Sequence, residues 1–157
     1  MKRLAITVIT CLLFLTGFAR TNQYTTDPIY LASVLIDKPG LDEIRETLLY
    51  NNFTDKGIKD GKQIFESSSG TIYIPVSGQS LADENEKSDR ISEIMVETDL
   101  SIEEIRDRMQ HCGYKKTQHD KKRIAFEKGT SFHPTRKQCI VEKGKPVKVT
   151  FLRISGH

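Results

Sequence analysis

The chain has 157 residues, of which 37% are hydrophobic and 29% charged, with 10 Gly, 5 Pro and no Trp. That composition excludes a collagen-like or disordered chain and describes an ordinary globular protein long enough to bury a core. The formal net charge of +3 singles out no class of partner by itself.

The first nineteen residues read as an export signal. Lys2 and Arg3 form a positive start, Leu4 to Leu15 an apolar centre, and Gly17-Phe18-Ala19 a small-residue processing site, so cleavage is expected after Ala19. The positive start and short apolar centre follow the bacterial pattern, which places the product in the periplasm or outside the cell. No second apolar stretch reaches the roughly 20 residues of a membrane span, so no transmembrane segment is expected after cleavage.

Residues 20–30 read as a lead-in. Leu31 to Ile36 is a short apolar run closed by Asp37-Lys38-Pro39-Gly40, which predicts a strand. Leu41, Ile44 and Leu48 then recur at helical spacing, with Asp42 and Glu43 in the first turn. Thr54 to Gly61 is polar and predicts a loop. Lys62 to Glu66 and Thr71 to Val76 flank Ser67-Ser68-Ser69-Gly70 as a hairpin, with Ile72, Ile74 and Val76 alternating inward. Residues 78–90 are an acidic linker.

Ile91 to Glu97 reads as the next strand. A second helix follows, opened by the capping box Ser101-x-x-Glu104 and carrying Ile102, Ile105, Met109 and Cys112 on one stripe. Lys115 to Lys122 predicts a basic loop. Arg123 to Lys128, Lys137 to Glu142 and Val147 to Ile154 predict three strands, the last two joined by Lys143-Gly144-Lys145-Pro146.

These elements repeat. Lys38 to Phe53 and Asp99 to Tyr114 align without a gap at an offset of 61 residues, matching Ile44 with Ile105, Arg45 with Arg106 and Phe53 with Tyr114. Asn52 and Gly113 occupy the same helix-ending position, where a left-handed residue is wanted. The pattern predicts an α+β fold of two tandem β-α-β-β repeats, residues 31–77 and 91–157, with two helices packed on one face of an antiparallel sheet. A pair of helix-plus-sheet repeats in a small exported chain resembles the architecture of β-lactamase inhibitory proteins and of small outer-membrane assembly lipoproteins. The resemblance is one of architecture and rests on no shared residue motif.

Cys112 and Cys139 survive cleavage, an even count that predicts one disulfide in an exported chain. His111, His119 and His133 stand near them in sequence, yet no metal-ligand spacing occurs, so neither metal nor other cofactor is expected. No Ser elbow is present, and Asp42-Glu43 and Glu103-Glu104 are explained by helix first turns; no catalytic residue is assigned.

Charge is the uncommon feature. Residues 20–110 hold 10 Lys or Arg against 18 Asp or Glu, a net of −8, whereas residues 111–157 hold 12 against 3, a net of +9. Lys115, Lys116, Lys121, Lys122, Arg123, Lys143 and Lys145 are the expected partner-binding residues. Stacking aromatics are not interleaved with them, so nucleic acid is a poor target, and an acidic exported protein or an anionic envelope component is expected instead. The expected function is a non-enzymatic protein-binding module of the bacterial envelope, of an inhibitor or immunity type. The alternative is an envelope assembly protein on an anionic surface, and a small hydrolase ranks third.

Overall fold

The computed structural model describes residues 26–38, 40–76, 91–129 and 135–155. The expected signal peptide, most of the lead-in and the acidic linker lie outside them.

Three helices and eight strands follow in the order α1 (Pro28–Leu35), α2 (Leu41–Tyr50), β1 (Thr54–Lys59), β2 (Lys62–Ser67), β3 (Gly70–Pro75), β4 (Glu93–Thr98), α3 (Ile102–His111), β5 (Lys115–His119), β6 (Arg123–Lys128), β7 (Thr135–Glu142) and β8 (Val147–Ser155). All strands join one antiparallel sheet in the order β1-β2-β3-β4-β8-β7-β6-β5. The fold is therefore mixed α+β. Two four-stranded meanders meet at β4 and β8, which among the described residues is the pairing that links the first half to the second.

The two gapless helices behave as their sequences require. Leu41–Tyr50 and Ile102–His111 are helical over equivalent residues. Ser101 accepts from the Glu104 amide while the Glu104 carboxylate accepts from the Ser101 amide, closing the capping box. At the other end Asn52 and Gly113 take φ of 64° and 82°. The amides of Phe53 and Tyr114 then donate back to the carbonyls of Leu48 and Met109 at 3.0 and 2.9 Å, the six-to-one bond of a Schellman ending.

The structure corrects the unit built around those helices. Leu31 to Ile36 is not a strand; Leu31 to Leu35 belong to α1 and Ile36 is its C-cap, so among the described residues no strand precedes α2. Asp27 caps α1, accepting from the Ile29 and Tyr30 amides at 2.9 and 3.2 Å, and Pro28 stands where a missing N–H costs nothing. The expected loops at Thr54 to Gly61 and Lys115 to Lys122 contain β1 and β5, the two edge strands. Each half thus reads as helix followed by four strands in place of the expected β-α-β-β, and the described residues hold three helices, one more than expected.

Both edge strands are interrupted at the same place. The register shifts between Asp55 and Gly57 in β1 and between Lys116 and Gln118 in β5. Such bulges twist an edge and block further strand pairing, and the lysines on both strands add a charge barrier. The β1 bulge is anchored by Asp55, which accepts from the Gly57 amide at 2.8 Å, from Gln63 and from Arg45 on α2. Those donors, the Gly57 amide first, hold the Asp55 carboxyl below the ordinary carboxylate range. A carboxyl whose pKa is depressed by folding contributes stability that is present above its unfolded value, near 4, and lost as pH falls through the lower folded value. Asp55→Asn keeps an oxygen acceptor but removes the charge, so its acid unfolding curve below about pH 4 should be shallower than that of the wild type. Circular dichroism across an acid titration measures the difference.

One face of the sheet is the core. Phe65, Ile72, Ile74, Ile94, Val96, Ile124, Phe126, Cys139, Val141, Val147, Val149 and Phe151 all point to it, since each pairs with another of the set across the ladder or with Gln63 or Thr98. They form a single buried cluster with Ile29, Leu31, Ala32, Leu35 and Ile36 of the α1 region, Ile44 and Leu48 of α2, and Ile105 and Met109 of α3. Helix α1 lies against α3, β3, β4 and β8.

Candidate functional site

Seven basic residues are candidates, and the structure divides them. Lys121, Lys122 and Arg123 form the turn and first residue between β5 and β6; Lys143 and Lys145 lie in the turn between β7 and β8. The two turns are bound together. The Lys143 amide donates to the Lys122 carbonyl at 2.9 Å, and its Nζ lies 3.4 Å from the Asp120 carbonyl and 3.2 Å from His119 Nε2. Asp120 fixes the first turn by accepting from the Lys122 and Arg123 amides at 2.8 and 2.7 Å, and these bonds lower its carboxyl. A basic corner results, built on backbone hydrogen bonds at one end of the sheet.

Lys115 and Lys116 are not part of it. They open β5, where Lys115 stands opposite Glu127, while the corner lies beyond His119 at the other end of the strand. Arg123 is at the corner but is ion-paired with Glu142 at 2.8 Å. Among the described residues no carboxylate lies within ion-pairing distance of Lys121, Lys122, Lys143 or Lys145, and all four are exposed. Such a set keeps its positive charge for an external partner.

The same end of the first half is acidic. A groove of about 560 Å³ is lined by the Ser67 to Gly70 turn, Glu97, Asp99, Glu104 and Pro146. Three of its hydroxyls bond the backbone: Ser69 Oγ donates to the Thr26 carbonyl at 2.9 Å, Ser67 Oγ to the Gly70 carbonyl at 3.2 Å, and the Thr98 hydroxyl to the Ser69 carbonyl at 3.1 Å. These bonds shape the turn, as the sequence expects of serines there. Gly70 is fixed by close approach, since at φ 152° an added Cβ would stand 2.6 Å from the Glu97 carbonyl.

The second surface is the open face of the sheet, which sequence reasoning did not single out. Its middle row runs Ile64, Tyr73, Met95, Thr150, Ile140, Ala125, each opposite the next across the ladder and each half-buried. The row below is charged: Glu66, Thr71, Glu97, Lys148, Glu142, Arg123. Lys56 pairs with Glu66 at 3.0 Å, Lys148 with Glu97 at 3.2 Å, and the Tyr73 hydroxyl donates to Glu97 at 2.8 Å. Arg136 pairs with Glu127 on the same face. Burial, then the Glu97 contact, raises the Tyr73 phenol above its ordinary value. Alternation in β2, β3 and β4 signals a half-polar sheet, but Ile140, between Cys139 and Val141, is hidden in a continuous apolar run.

The expected Cys112–Cys139 disulfide is not formed. Both are thiols. Cys139 donates to Met109 Sδ at 3.7 Å in the core, and Cys112, the C-cap of α3, accepts from Ser33 Oγ of α1 at 3.3 Å. Insertion of α1 gives Cys112 a different neighbour from the sheet strand expected beneath it. Burial raises both thiols.

Among the described residues no three of His, Cys, Asp or Glu are grouped to hold a metal ion, and no helix is long and apolar enough to cross a membrane. Comparison with protein-family models, with curated proteins and with solved structures found no match.

Proposed function

We propose that this chain is an exported, non-enzymatic protein-binding module that captures an acidic partner at the basic corner. The observation that carries the reading is the tie between two separate turns, which concentrates Lys121, Lys122, Lys143 and Lys145 around the single carboxylate of Asp120, with no ion pair to any of the four among the described residues. A corner preassembled by backbone bonds loses little conformational freedom when a partner arrives, so its charge acts mainly on the rate of encounter. An inhibitor or immunity-type role accords with this geometry, and tandem α/β halves of opposite charge would orient the approaching partner. An anionic envelope surface is the second target class, set apart by sedimentation with membrane or cell wall.

The test is charge reversal with an internal control. Replacing Lys121, Lys122, Lys143 and Lys145 by Glu should slow association with the captured partner by about tenfold or more, and the wild-type rate should fall as salt rises past about 0.1 M, where the Debye length is about 10 Å. Lys115→Glu with Lys116→Glu, at the far end of β5, should leave the rate within about threefold. Equal rates at low and high salt end the proposal.

A further inference from the structure

The open face carries an occupant's imprint in its charge pattern, and we infer that the occupant is a second copy of this chain. Two copies would stack open face to open face about a two-fold axis that runs parallel to the strands and passes between β4 and β8.

The argument follows from the register. Because the strand order is β1-β2-β3-β4-β8-β7-β6-β5, such an axis lays β4 of one copy over β8 of the other, β3 over β7 and β2 over β6, with rows kept level. In the charged row Glu97 then faces Lys148 of the second copy, and Glu66 faces Arg123 of the second copy. In the middle row Met95 faces Thr150, Tyr73 faces Ile140, and Ile64 faces Ala125. Each contact occurs twice by symmetry. In the third row Lys62 faces Glu127 and Glu93 faces Leu152, and in the charged row Thr71 faces Glu142; at the other named positions acidic meets basic and apolar meets apolar or small, as an isologous interface requires of one surface.

The alternative two-fold, perpendicular to the strands, fails this test. It lays each strand on its own copy with the rows exchanged, so Glu97 of β4 meets Glu93 near the centre of the interface. Like charges placed there are repelled and desolvated together. Paired sheets cross at about 30°, so level rows hold best at the central strands and the contact between Glu97 and Lys148 is the most reliable of the set.

The area suffices. Eight strands at about 4.8 Å spacing and three rows of side chains present about 700 Å² per copy, or about 1,400 Å² in total, within the range of stable specific interfaces. Half-buried apolar side chains at the centre, ringed by ion pairs already satisfied within one chain, lower the desolvation cost of closing the two faces. The bulged, lysine-bearing edges β1 and β5 leave face stacking as the route open to association. The basic corner lies in turns at the sheet's end, so a dimer would display two of them.

The experiment uses analytical ultracentrifugation of the purified protein from about 1 to about 300 μM. The wild type should move from monomer to dimer within that range. Glu97→Lys puts Lys against Lys148 of the second copy, and Lys148→Glu puts Glu against Glu97; each variant alone should weaken dimerisation by about tenfold or more. Mixed one to one, the two variants face each other with opposite charges at both positions, and dimer should return to within about threefold of the wild type. Loss of folding cannot mimic that rescue. Met95→Glu, a half-buried position on the face, should give a folded monomer by circular dichroism. A wild type that stays monomeric throughout, variants that dimerise as the wild type does, or a mixture that fails to regain dimer would each overturn the inference.

Discussion

Phe151→Ala should cost about 3 to 5 kcal/mol, a large share of the roughly 5 to 15 kcal/mol a domain commonly has to lose. Phe151 has no solvent exposure and sits on β8 with Ile94 of β4 on one side and Cys139 of β7 on the other. Its ring meets Tyr114 edge to face, with centroids 6.1 Å apart and planes at 76°. The position is therefore shared by both meanders at the seam that joins them, and neither half can collapse into the space without shifting the other. A drop in the urea midpoint with an unchanged slope measures the effect. Ile154→Ala, on the open face of the same strand at 42% exposure, should cost less than about 0.5 kcal/mol. Comparable losses at the two positions would mean that the seam is not the centre of the core.

What could be read from the sequence followed the contrast between wet and dry positions. Helices α2 and α3 carry one apolar stripe, an acidic first turn and a left-handed stop, so their limits fell within a residue of those expected. Strands β2, β3, β6, β7 and β8 carry alternation or apolar runs between turn residues, and they appear where expected. The edges gave no such contrast. Every residue of β5 is exposed, and β1 buries none fully, so the only force that makes them strands is pairing with β2 and β6. Polar composition then reads as loop, and that error also placed Lys115 and Lys116 in one imagined loop with Lys121 and Lys122. As a strand, β5 carries Lys115 and Lys116 away from the other five.

The bridge failed for a related reason. The stripe on α3 predicts that Cys112 faces the sheet directly, whereas α1 contacts α3 and offers Ser33 to its thiol. The open face was illegible for another: its middle row is assembled from six strands, and no local window contains it. Charge segregation, by contrast, was countable from composition alone, and only the tie between two turns turned part of it into a corner.

Asp27→Ala should cost about 2 to 3 kcal/mol, since this one side chain closes α1 and fastens it to α3. Asp27 is 8% exposed, accepts from the Ile29 and Tyr30 amides through Oδ1, and is ion-paired through Oδ2 with Arg108. Arg108 also donates to the Glu104 carbonyl at 3.1 Å, which holds the guanidinium along α3. Helix α1 is apolar on nearly every side, with Ile29, Leu31, Ala32, Ser33 and Leu35 buried, so no stripe announces it and its eight residues pass for a strand. The signal that was present is Asp27-Pro28, a cap followed by proline at the first helical position. Separating the two roles makes the prediction specific. Asp27→Asn keeps an acceptor for the amides and loses only the ion pair; Arg108→Met loses the ion pair and keeps the cap. Both should cost about half of Asp27→Ala, and Asp27→Ala with Arg108→Met together should cost less than the sum, because the first change already leaves Arg108 without its partner. Chemical denaturation of the four variants reads the outcome, and full additivity would show that Asp27 and Arg108 are not coupled and that Asp27 acts on α1 through the cap alone.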